Sequence, residues 1–148
     1  MIISQYFYLK ILNQFYGHSS KKRIYFLSME LWWFFLDYFF HFLHILLIVW
    51  NLTGWMFKKL RLLHFLSLNL LWFFWIIVGF FYGFGYCPLT DYHWQIKLYR
   101  GEQDLPSSYI TYLLNQMNFY PNETMVDTFV LSITILIYAI SFYLLKKT

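Results

Sequence analysis

Asp37, His41 and His44 are the residues in this sequence best spaced to do chemistry together. They sit inside Leu31–Phe57, LWWFFLDYFFHFLHILLIVWNLTGWMF, a run that is otherwise almost wholly apolar. On a helix turning about 100° per residue, His41 and His44 fall about 40° and 20° to either side of Asp37. Glu30 and Asn51 fall on the same side, so one narrow polar stripe runs down the helix. A carboxylate beside imidazoles can form a hydrogen-bonded pair, or titrate near neutral pH. Such groups are costly in hydrocarbon, so the stripe must face protein or water.

A second group, Cys87, Asp91 and His93, follows the next apolar run, and Asp127 stands near the start of the last one. Cysteine, histidine and aspartate supply the right atoms for a transition metal. A single thiolate at this spacing matches no zinc pattern. Three readings stay open. Asp37, His41, His44 and Asp127 can form a hydrogen-bonded intramembrane network that ties helices together. Cys87, Asp91 and His93 can hold a metal, with Asp37 and His41 nearby. A buried Asp–His pair can also serve proton transfer or a quinone. Haem held between His44 and His64 is disfavoured, because they lie at depths of roughly 20 Å and 5 Å from the intervening turn.

The elements that must position these groups are long apolar helices. Leu31–Phe57 is long enough to cross a bilayer, and so are the runs 62–85 and 125–145. Lys58, Lys59, Leu60 and Arg61 alone separate the first two, which predicts a tight antiparallel hairpin. Gly79, Gly83 and Gly85 mark the far end of the second run. The stretch 86–123 is polar, with short helices predicted over about 91–99 and 107–118. Ser28 is a candidate cap for the first helix. The fold expected is an all-α membrane protein with three transmembrane helices and two short helices in an outward-facing loop.

Composition agrees with that class. The chain of 148 residues is 60% hydrophobic, 26% aromatic and 12% charged, where soluble domains run to about 25% charged. Met29 onward is charge-balanced, which excludes a nucleic-acid surface. Cys87 is the only cysteine, so no internal disulfide forms. Lys58, Lys59, Arg61, Lys146 and Lys147 place one end of the bundle, with His64 near it, on the cytoplasmic side. The loop 86–123 then faces out. Lys21, Lys22 and Arg23 oppose this orientation. The conflict disappears if residues 1–28 are a non-native extension and Met29 begins a single domain, 29–148. Otherwise those residues must themselves enter the membrane, and Ile2–Tyr16 has the amphipathic character of an interfacial helix.

At Cys87-Pro88-Leu89-Thr90 the chain resembles a family of small bacterial integral membrane proteins, a domain of unknown function. The resemblance takes in a histidine in the first helix (His41 or His44), His64, Asp91, Trp94, Arg100, Gly101, Tyr109 and Ile110. GYCPLTDYHW is similar to Bacteroidetes-type members. The resemblance implies a membrane location and no activity. With no phosphate loop, dinucleotide fingerprint or nucleophile elbow in the chain, the expectation is a non-enzymatic accessory subunit of a larger membrane complex in the bacterial inner membrane. Lipid and other membrane subunits would be its partners, with no cofactor. The alternative is a metal- or redox-linked enzyme using the Cys/His/Asp groups.

Overall fold

A computed structural model describes residues 20–147, with side chains from Met29 onward. The interfacial helix expected over Ile2–Tyr16 lies outside the described residues. The described residues form an all-helical fold, and three of the helices among them are long and apolar enough to cross a membrane.

The first helix, α1 (Ser20–Thr53), is 34 residues long, about 51 Å. No glycine or proline interrupts it, so it continues back past the expected start near Glu30, and Ser28 lies inside it instead of capping it. Glycine ends it: two single 3₁₀ turns, Gly54–Met56 and Lys58–Leu60, hinge about extended Phe57 and return the chain into α2 (Arg61–Trp72). The second span then widens into a π-helical stretch, Phe73–Val78, before α3 (Gly79–Tyr82). Gly83 and Gly85, both at positive φ, turn the chain away from the second span.

Pro88 occupies the first turn of α4 (Pro88–Tyr99), where its missing N–H costs nothing, so this helix starts earlier than the expected 91. It ends at Gly101, whose φ of 84° permits a Schellman closure: Glu102 N–H donates to Lys97 O (3.0 Å) and Gly101 N–H to Leu98 O (2.9 Å). Ser108 caps α5 (Tyr109–Gln116) by accepting from Thr111 N–H, and Asn122 caps α6 (Glu123–Lys146) by accepting from Met125 N–H. Glu123 accepts from the Ser107 hydroxyl at 2.6 Å, which ties the start of α6 to the start of α5.

Packing divides the molecule into two ends. α1 packs chiefly on α4, α2 chiefly on α6, and α5 rests on α6, so α4 and α5 form a cap over one end of the spans. At the other end His64 joins all three spans. Its Nε2–H donates to Asn51 O of α1 (3.1 Å), which leaves Nδ1 to accept from the Ser141 hydroxyl of α6 (3.0 Å). Both His64 and Ser141 are fully buried. Trp50 Nε1 donates to Ser67 Oγ (2.9 Å), and Arg61 reaches Leu144 O. The basic turn and the C-terminal end of α6 therefore share one end of the bundle.

Gly54 lies against this buried imidazole, and a Cβ there would overlap His64 Cδ2 and stand 3.0 Å from Cγ. With both ring nitrogens bonded, His64 has nowhere to move. Gly54→Ala should therefore cost about 1–3 kcal/mol. A melt followed by thiol-reactive dye at half-buried Cys87 checks this, and an unchanged transition would contradict it.

Candidate functional site

The stripe on α1 meets a matching stripe on α4. His93, Lys97 and Arg100 recur at i, i+4 and i+7, so one face of α4 offers three nitrogen donors to a neighbour. That neighbour is Asp37, which is buried. Asp37 Oδ1 accepts from His93 Nε2–H at 2.8 Å and from the Lys97 ammonium at 3.0 Å, and Arg100 pairs with Oδ2. His41 Nε2 stands 3.8 Å from Oδ1. The Schellman turn at Gly101 brings Glu102 back so that its carboxylate lies 3.1 and 3.3 Å from Lys97 Nζ. Two carboxylates therefore face two cations, and the cluster is formally neutral.

Rings enclose it. His93 is fully buried, edge-on to His41 at 4.5 Å between centroids and beside His44 at 5.4 Å. The Tyr109 ring stacks on His44 at 3.9 Å, and its hydroxyl lies 2.9 Å from His41 Nδ1. His44 Nδ1–H donates to Phe40 O, which leaves Nε2 to accept from the Thr90 hydroxyl at 3.1 Å. Lys97 Nζ also lies 4.6 Å from the Tyr112 ring centre, and Arg100 lies over Phe34.

These surroundings set the protonation of the cap. Burial pulls His93 down to about 4, against the opposing pull of its hydrogen bond to Asp37. His93 is therefore neutral at pH 7, with its proton on Nε2, and its Nδ1 has no hydrogen-bond partner. Burial would also pull Lys97 down, but Tyr112, Asp37 and Glu102 outweigh it and hold the ammonium above its ordinary range. Burial pushes the Tyr109 hydroxyl up to about 12.

The structure brings together Asp37, His41, His44 and His93 from the sequence-derived candidates, and separates the others. Cys87 is the residue before α4, half-buried, and it borders a cleft between α1 and the second span. Asp91 is exposed and accepts from the Tyr86 hydroxyl at 3.1 Å. Asp127 is exposed on α6, Glu30 is exposed on α1, and His64 belongs to the opposite end. The group of ligand atoms that does converge is Asp37, His41 and His93. Lys97 and Glu102 escaped the sequence reading altogether. A readable signal for Lys97 existed in its spacing from His93 on a short helix, opposite a membrane carboxylate.

Three helices long and apolar enough to cross a membrane, with a charge-paired cap at one end, define a small all-helical protein built for a membrane location. Residues 34–145 match the family described as Protein of Unknown function (DUF2784), and the chain belongs to that family. Comparison with curated proteins and with solved structures finds no match.

Removing Asp37 alone would leave Lys97 buried with one of its two carboxylates gone. Because Glu102 still faces Lys97, Asp37→Leu should cost about 1–3 kcal/mol in unfolding from mixed micelles. Asp37→Leu with Lys97→Met should cost less than the two single losses added together. Strict additivity would show that the pair carries no coupling.

Proposed function

We propose that this protein is a non-enzymatic component of a larger membrane assembly in a bacterial inner membrane, with its cap on the outer side. The observation that supports this is the thinness of the bundle. Within the most apolar windows of the three spans, only 11%, 17% and 11% of residues are buried inside the chain. α1 and α2 touch sparingly, and between them runs a cleft of about 450 Å³ lined by Phe40, Leu47, Asn51, Ser67, Leu70 and Phe74. In hydrocarbon, helices associate through close packing and a few polar contacts. A cleft that is apolar along its length, with Asn51 and Ser67 among its walls, suits the side chains of a neighbouring span.

A photo-reactive residue at Leu70, in the cleft, should yield one discrete protein adduct in native membranes. Adducts with lipid alone would overturn the reading.

The orientation is supported by the shared position of Lys58, Lys59, Arg61 and Lys146 at the end away from the cap. On a Cys87→Ser background, Gln103→Cys should react with an impermeant maleimide from outside. Lys59→Cys should react only after lysis. The reverse pattern would place the cap inside.

A further inference from the structure

The Asp37 cluster has the donor set and the spacing of a metal site, and this holds whether or not the chain joins a larger assembly. One ligand atom each from Asp37, His41 and His93 lie within 4.8 Å of one another. An ion bonded at about 2.0–2.2 Å holds adjacent ligand atoms about 2.9–3.5 Å apart. Asp37 Oδ1 stands 2.8 Å from His93 Nε2 and 3.8 Å from His41 Nε2, which brackets that range.

Two further features fit. The first is the freedom of His93. His44 and His64 are each bonded at both nitrogens, whereas fully buried His93 is held only through Nε2 and leaves Nδ1 without a partner. Ligation through Nε2 moves its proton to the unpartnered Nδ1, with no second bond to break. The second is the orientation of His41. The Tyr109 hydroxyl at its Nδ1 turns Nε2 toward Asp37, as outer partners of metal-bound imidazoles commonly do.

The obstacle is Lys97, whose ammonium already lies 3.0 Å from Asp37 Oδ1. Glu102 resolves it. Lys97 Nζ is already within 3.1 and 3.3 Å of both Glu102 oxygens, so it can leave Asp37 without being stranded, and Arg100 keeps Oδ2. We propose that Asp37, His41 and His93 bind a divalent transition cation of the zinc class, which takes the place of the Lys97 ammonium at Asp37 Oδ1. Two imidazoles and one carboxylate suit zinc, cobalt or ferrous iron better than calcium or magnesium. The ion would bridge α1 to α4 and so hold the cap on the span.

The test uses the full chain in detergent, stripped with chelator and titrated calorimetrically with zinc and then with magnesium. The expected result is one equivalent of zinc and no magnesium. Binding should weaken about tenfold or more in His41→Gln and strengthen about tenfold in Lys97→Met. No zinc binding by the native chain would overturn the proposal, even if Lys97→Met binds, because the ammonium then holds the site closed. Unchanged affinity in His41→Gln would also overturn it. If that variant does not fold, cobalt absorption of the native chain decides. Ligand-field bands of a low-symmetry nitrogen and oxygen site support the proposal, and the weak bands of the hydrated ion overturn it.

Discussion

A carboxylate placed inside an apolar helix cannot stay ionised alone, and the arrangement of the capped end follows from that constraint. Asp37 lies two turns along the span that begins at Met29, about 12 Å deep at 1.5 Å per residue. Its compensation has to come from another element, because α1 carries no cation near it. α4 supplies that compensation through Lys97 and Arg100, and in doing so must lie close against α1. The turn that carries Glu102 back, the rings of Tyr109 and Tyr112, and the neutral state of His93 are consequences of bringing a lysine into such a place. Burial of one acidic group thereby fixes the position of a whole segment of the cap.

The opposite end is held by different means. His64 donates once, to a backbone carbonyl, and accepts once, from a hydroxyl. Bonds of this kind order three helices without burying charge, at about 0.5–1.5 kcal/mol apiece. The molecule is thus held by a buried ion-pair cluster at one end and by uncharged hydrogen bonds at the other. The two differ in what perturbs them: added charge or a competing cation acts on the first, and a change of volume at Gly54 acts on the second.

Much of this was readable in the residues. The three spans follow from apolar length alone, and the inward stripe of Asp37, His41 and His44 follows from helical spacing. What the reading could not supply was pairing across long separations. His93 stood close in sequence to Cys87 and Asp91, and metal-ligand chemistry made those three an obvious set. In a helix, however, Asp91 and His93 point to different faces, so Asp91 stays in solvent while His93 turns inward. Asp127 looked like a network member because it lies one turn inside an apolar run. Its helix packs chiefly on α2, and Asp127 itself stays exposed. The early start of α1 was missed for a simpler reason: Ser28 as a cap and Met29 as a domain start marked a boundary, but nothing in the backbone chemistry there stops a helix.

The π-helical stretch Phe73–Val78 has a bearing on how this chain can vary. Such a stretch behaves as one residue inserted into an α-helix, so everything after it is rotated by about 100°. Gly79 is thereby presented to the returning chain, where a Cβ would meet the backbone of Phe84 at 3.3 Å. Loss of a single residue from this stretch would leave a helix still long enough to span. It would turn Gly79 away from that contact and carry the exit toward α4 around the helix axis. Tolerance to length change is therefore expected to be uneven along the chain: low here, and high in the exposed turn near Gln103.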